Sequence, residues 1–163
     1  MYHNITLKEL MSRDLPSLTY QRKVSYKAEI REVKALYRLI NATIFNDRLV
    51  MPKLVIKPRL QGAWGECYGA DTPFVNNKSR CIIYLSERWY CRQWLILTLA
   101  HEMVHQYQWD IISKRRNKEG LESIMSHGPT FFQWRDKFKK YGLPLKTYNS
   151  YGKWFKTQHL FKC

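Results

Sequence analysis

The sequence predicts an α+β domain, and three observations carry that prediction. One segment in the first third repeats its apolar residues at helical spacing. Three short runs in the middle have strand-like composition and turn signals between them. A long apolar helical stretch then follows, carrying two histidines four residues apart, with a further helix behind it. Together these describe a helix packed on a small sheet of about three strands, with more helices around it.

Taken in order, residues 1–26 show no clear period, and Leu15-Pro16-Ser17 predicts a loop. From Lys27 to Phe45 the apolar residues Ile30, Val33, Tyr37, Ile40 and Ile44 recur at spacings of three and four, one face of a helix. Asn46-Asp47 ends it as a turn. The next run, Leu54–Leu60, contains Pro58, which suits only an edge or a strand end. Ala63–Gly69 is an aromatic run flanked by glycines, and Arg80–Leu85 is the best strand in the chain. Asp71–Lys78 lies between them as a loop, so the economical arrangement is an antiparallel meander.

Ser86, with Glu87 beside it, offers an N-cap for a helix running to about Ile111. Lys114–Ser126 is polar and contains Gly120, which predicts a loop. Pro129 suits the first turn of another helix. Phe131, Trp134, Phe138 and Tyr141 give that helix an apolar face, and Gly142 and Pro144 stop it. The tail, Leu145–Cys163, is basic and aromatic without clear periodicity.

Length and composition bound the function. The 163 residues suit a single domain spanning 1–163, and 45% hydrophobic with 15% aromatic residues excludes wholesale disorder. No apolar run approaches the roughly 20 residues a membrane span needs. No apolar segment near Met1 reads as a secretory signal, so the expected setting is cytoplasmic, with nucleoid association open. Cys67, Cys81, Cys91 and Cys163 form no C-x-x-C pair and read as reduced thiols, with Cys67 and Cys81 in core strands. Nothing points to a membrane partner, and a monomer is the default. The size suits a bacterial or phage protein.

The chemistry sits in His101-Glu102-Met103-Val104-His105. Four helical residues turn by about 400°, so both imidazoles point the same way, one turn apart. Two imidazoles so placed can grip one zinc ion, and Glu102 stands about 100° round the helix, within reach of water activated by that zinc. Chance would give the pattern in on the order of one in a hundred such chains, and the apolar run Trp94–Ala100 before it is the buried helix a rigid metal site needs. A catalytic zinc takes a third protein ligand. The positions where a third histidine and a glycine would follow in one common arrangement hold Ile111 and Gln108. Glu119 and Glu122 are carboxylate alternatives, and His127, just before Gly128-Pro129, is the better candidate.

His101–His105 followed by His127-Gly128-Pro129-Thr130-Phe131 resembles the SprT-like zinc metallopeptidase family, whose members carry an HExxH helix and a later H-G-x-x-F segment. Asn41-Ala42-Thr43-Ile44-Phe45, Ala63-Trp64-Gly65-Glu66-Cys67-Tyr68 and Cys81-Ile82-Ile83-Tyr84-Leu85-Ser86 resemble further family segments in the same order. The likeness covers about Lys27 to Gly142. It implies a zincin-like metalloprotease fold and one catalytic Zn2+ held by His101, His105 and His127. It implies Glu102 as general acid/base, hydrolysing peptide bonds with zinc-activated water. The family includes Spartan-type proteases, which cut proteins crosslinked to DNA, so a DNA-associated protein substrate is implied as well. The four-cysteine zinc ribbon of many bacterial members is missing from this chain.

Charge bears on the DNA expectation. There are 28 Lys+Arg against 13 Asp+Glu, a net charge of +15. Residues 1–60 carry +7, residues 61–131 carry +1 and residues 132–163 carry +7, so the flanks hold the positive field and the HExxH segment is nearly neutral. A polyanion is the expected partner. In the tail, basic residues alternate with aromatics, the mix that neutralises phosphates and stacks on unpaired bases of single-stranded or junction DNA. Candidate contacts are Tyr151, Lys153, Trp154 and Lys156, with Lys114, Arg115 and Arg116 on the polar loop. Two other readings stay open. One is a non-enzymatic DNA- or transcription-associated module with a structural zinc, its fourth ligand Glu122 or Cys91. The other is a metalloprotease whose substrate has no link to DNA.

Overall fold

In a computed structural model the described residues are 5–12, 23–58, 60, 62–70, 77–113, 127–148 and 150–160, without the side chains of 158–160. The fold is α+β, with small sheets and several helices. In order come α1 (Leu7–Ser12), β1 (Tyr26–Lys27), α2 (Ile30–Phe45), β2 (Lys53–Lys57), β3 (Gly65–Gly69), β4 (Cys81–Ser86) and β5 (Arg88–Trp89). They are followed by α3 (Arg92–Tyr107), a π-helical turn (Gln108–Ile112), α4 (Pro129–Phe132), α5 (Arg135–Lys140) and α6 (Tyr151–Leu160).

Helix α1 opens with a capping box. Thr6 Oγ1 accepts the Glu9 N–H at 3.2 Å, and Glu9 Oε2 accepts the Thr6 N–H at 2.7 Å. Helix α2 buries Val33, Leu36, Tyr37, Ile40 and Ile44 on one face. It starts at Ile30 rather than Lys27, because Tyr26 and Lys27 pair with Trp89 and Arg88. Asn46 and Asp47 end it in the left-handed region, with φ of 53° and 56°. Buried Asn41 then clamps the following loop: its Nδ2 donates to Leu49 O at 2.8 Å and its Oδ1 accepts the Leu49 N–H at 3.1 Å.

The three-stranded sheet has the order β2-β4-β3, with β2 parallel and β3 antiparallel to β4. The expected meander is therefore wrong. Strand β4 is the most buried of the three, with Cys81, Ile83 and Leu85 inaccessible, and it takes the centre where both of its edges are paired. Strand β2 stops at Lys57, directly before Pro58.

Helix α3 starts at Arg92, six residues after the expected cap. Ser86 belongs to β4, and Trp89 is buried in β5 with its Nε1 donating to Ser86 O at 2.7 Å. Twelve of the 16 residues of α3 are buried, so it is the central helix of the core. The helix expected from Pro129 to Tyr141 is broken at Gln133-Trp134, where the Trp134 indole wedges against Phe45 (4.7 Å) and Tyr107 (4.8 Å). Gly142 ends α5 at φ +74°. Helix α6 lies in the tail that showed no period, and it buries Tyr151, Trp154 and Phe155. Tyr151 stacks on Tyr90 at 4.0 Å, and Trp154 packs on Trp94 at 5.5 Å. No helix among the described residues is long and apolar enough to cross a membrane.

Candidate metal centre

His101 and His105 stand one turn apart on α3, and the chain just before α4 brings in His127. His127 Nε2 lies 3.1 Å from His101 Nε2 and 3.2 Å from His105 Nε2. Among the described residues this is the one cluster of His, Cys, Asp or Glu able to hold a metal ion. Its backing is Phe131. That ring is fully buried, and its centroid lies 4.9, 4.8 and 4.6 Å from the imidazoles of His101, His105 and His127. Pro129 at the first turn of α4 and Gly128 as its N-cap set both His127 and Phe131 against α3.

The donor chemistry fits a cation. Burial, helped by the neighbouring histidines, pushes the His101 pKa down to about 3. Burial takes His105 to about 4, against the hydrogen bond that it donates to Gln108. His127 is lowered as well, by burial. All three rings are therefore neutral at pH 7 and offer lone pairs. The His105 Nδ1–H donates to Gln108 Oε1 at 2.8 Å, which leaves Nε2 as the free donor atom. Gln108 Nε2 donates onward to Thr130 Oγ1 at 2.9 Å, so this amide ties the π-helical turn to α4. Separations of 3.1 and 3.2 Å are slightly under the roughly 3.4 Å that tetrahedral zinc with ~2.1 Å bonds would set, so small outward shifts suffice.

Glu102 lies against β3 and lines one recess with His101. It is buried, and burial raises its pKa to about 8, with Glu66 adding to the rise and the Cys67 backbone hydrogen bond opposing it. Gly65 permits this approach: a Cβ there would stand 2.8 Å from Thr98 Cγ2 and 3.1 Å from Glu102 Cγ. At Gly69 a Cβ would fall 1.9 Å from the Trp109 ring, so the indole of the π-helical turn lies directly on the strand backbone.

A buried polar network absent from the sequence reading anchors the end of α3. Gln106 Oε1 is bonded by the Tyr37 hydroxyl at 2.9 Å, and Gln106 Nε2 donates to Val50 O at 2.7 Å and Asp110 Oδ2 at 3.0 Å. Asp110 Oδ1 accepts the Arg80 N–H at 3.0 Å, joining the π-helical turn to the start of β4. The signal was present as Gln106 and Asp110 at a helical spacing of four, but polar residues on a helix read equally well as a solvated face.

The other candidates divide. Lys114, Arg115, Arg116, Glu119 and Glu122 lie outside the described residues. Cys91 is buried at the N-cap of α3, ten residues and about 15 Å of helix from His101, so it is no fourth ligand. Tyr151 and Trp154 are 6% and 4% exposed, and their rings pack into the core. Lys153 and Lys156 on the same helix are exposed.

The model of the SprT-like family matches residues 33–149 of the chain. No curated protein matches it.

Proposed function

The chain belongs to the SprT-like family, which carries metallopeptidase-like activity, and from that membership we propose a zinc metalloendopeptidase with a zincin-like HExxH site. The observation that carries this reading is the convergence of three neutral imidazoles beside one buried carboxyl group. His101, His105 and His127 would hold the ion, which when bound lowers the pKa of water and polarises a scissile carbonyl. Three protein ligands leave a fourth position open for that chemistry. Glu102 is the acid/base. Burial makes the Glu102 carboxylate a stronger base than an exposed one, and a cation held by the imidazoles would favour its ionised form, able to accept a proton from water and return it to the leaving amine. The fixed backbone of β3, through the Cys67 N–H, holds the group in position.

The substrate we propose is protein on DNA, with single-stranded or junction DNA as the localising partner. The support is charge placement. Lys146 and Lys153 line a surface cleft of about 270 Å³ with Tyr148, and Tyr148 also borders the recess beside His101 and Glu102. A phosphate backbone held by those lysines would run next to the proposed catalytic cleft.

Zinc content and cleavage of a DNA-binding protein, with and without DNA, test both parts. The expected result is about one zinc per chain in wild type and in Glu102→Gln, with cleavage by wild type alone. Equal cleavage by both proteins sinks the role of Glu102. Zinc held without any cleavage points to a structural ion. No DNA affinity at low salt removes the DNA part and leaves the peptidase.

A further inference from the structure

A recess of about 170 Å³ opens beside His101 and Glu102, walled by Ala63, Trp64, Trp94, Thr98, Thr147 and Tyr148. Its space comes from the loop into β3, where Gly62, Ala63 and Gly65 bring almost no side-chain volume. Its walls are fixed. Trp64 packs against Trp89 at 5.5 Å, Tyr90 at 5.2 Å and Trp94 at 6.5 Å, and Trp94 is fully buried behind it. Tyr148, 78% exposed, forms the outer lip.

The lining is apolar in effect. Thr98 Oγ1 donates to Trp94 O at 2.9 Å, and its methyl group faces Gly65. Among the described residues, Glu102 and His101 are the only titratable side chains that line the recess besides the Tyr148 phenol. An Asp or Glu side chain entering it would lose hydration with no cation on the described lining to replace it. An aliphatic or phenyl group loses nothing of that kind and gains contact with the Trp64 indole and the methyl groups of Ala63 and Thr98. The size agrees, since a cavity of about 150 Å³ takes one benzene ring.

We propose that this recess is the side-chain pocket of the cleft and admits an uncharged apolar side chain, aliphatic or single-ringed, from a residue flanking the bond that is cut. The proposal rests on the peptidase reading for the word "cut". The contiguity of the recess with Glu102 and His101 is independent of it. The pocket separates two tasks: the basic surface attracts a polyanion, while an apolar contact selects where the chain is opened.

The test has two arms. A pool of blocked synthetic peptides is incubated with the zinc-loaded protein, and the cut sites are read by mass spectrometry. Leu, Ile, Met and Phe should be enriched about tenfold over Gly, Asp and Glu at one flanking position, since a side-chain contact in such a pocket discriminates by roughly 10–200-fold. Ala63→Leu, which fills the recess, should reduce that ratio about tenfold, with Ala63→Val between; thermal melts check that both fold. In the second arm, calorimetry on Glu102→Gln measures binding of a blocked hexapeptide with Leu, Gly or Asp at the selected position. Leu should bind several-fold tighter, and Ala63→Leu should erase the difference. Cleavage with no enrichment, or with enrichment that Ala63→Leu leaves unmoved, overturns the pocket and leaves the peptidase standing. Leu-selective binding without cleavage of any peptide overturns the peptidase and keeps the pocket.

Discussion

Gln108 accepts the Nδ1 proton of His105 at 2.8 Å, at the point where α3 widens from an α-helix into a π-helical turn. The same amide donates to Thr130 at the start of α4, four residues before the Trp134 wedge. It therefore fixes which nitrogen of His105 is free and how α4 sits against α3. Such outer partners of metal-binding histidines change metal affinity by about 10–100-fold when removed. Gln108→Leu should weaken zinc binding by that order, measured by competition with a chromophoric chelator. Gln108→Glu keeps an acceptor for His105 and should stay within a few-fold of wild type. Equal affinity for Leu and wild type would show that Gln108 is only packing.

The metal-free protein should be most stable near pH 6.5. Burial holds the His101 and His105 pKa values at about 3 and about 4, against an ordinary 6.5. Between those values the unfolded chain binds more protons than the native one, so both groups make stability rise with pH up to about 6.5. Glu102 acts oppositely. Its native pKa is raised to about 8 from 4.5, so the native state keeps a proton that the unfolded state releases, and stability falls with pH through that window. Two histidines outweigh one glutamate below pH 6.5, and between pH 6.5 and about 8 Glu102 sets the slope. Melting curves from pH 4 to 8 in a chelator should therefore show a maximum, and Glu102→Gln should remove the decline between pH 6.5 and 8. A change of 1 kcal/mol moves the Tm of a domain this size by about 2–4 °C, so the effect is measurable.

Much of this architecture was legible because local signals and tertiary demands coincide. Val33, Tyr37, Ile40 and Ile44 repeat at helical spacing because one face of α2 meets the core. His101 and His105 needed only the geometry of one helix. Strand order was not legible: β4 is central because it is the most buried strand, and that is a competition between strands, not a property of its own residues. The Thr6-x-x-Glu9 capping box marks α1, but the segment around it has no apolar period to support a helix. Tyr151, Trp154 and Phe155 do keep helical spacing, but among so many lysines they resembled a nucleic-acid surface. Phe131 was read as core, and it is core, but the face it presents carries all three imidazoles.

Gly65 and Gly69 should respond differently to alanine. At Gly65 the added methyl meets Thr98 Cγ2 at 2.8 Å and Glu102 Cγ at 3.1 Å, so these two side chains must shift by a few tenths of an ångström. Gly65→Ala should fold with about 1–3 kcal/mol lost to overpacking and should lose activity out of proportion, since the group displaced is Glu102. At Gly69 the methyl would enter the Trp109 ring, which has to leave its place on the strand. Gly69→Ala should be the more destabilised protein in urea unfolding, and Trp109→Ala should relieve part of that loss. Equal stability of the two alanine variants would contradict the close approach of the π-helical turn to β3.

Helix α6 separates packing from binding on one short element. Trp154 is buried against Trp94 at 5.5 Å, so Trp154→Ala should cost about 3–5 kcal/mol, as large aromatic truncations in a core do. Lys153 and Lys156 are exposed, and their alanine variants should stay within about 0.5 kcal/mol of wild type. DNA affinity should sort the other way. If these lysines meet phosphates, each loss lowers the salt slope of binding by about 1, read by anisotropy of a labelled single strand over a salt series. The test of stacking is Trp154→Phe, which keeps an apolar ring in the core. A buried indole predicts affinity unchanged in that variant wherever the protein is folded. A drop in affinity without a drop in stability would mean that the ring reaches the nucleic acid after all.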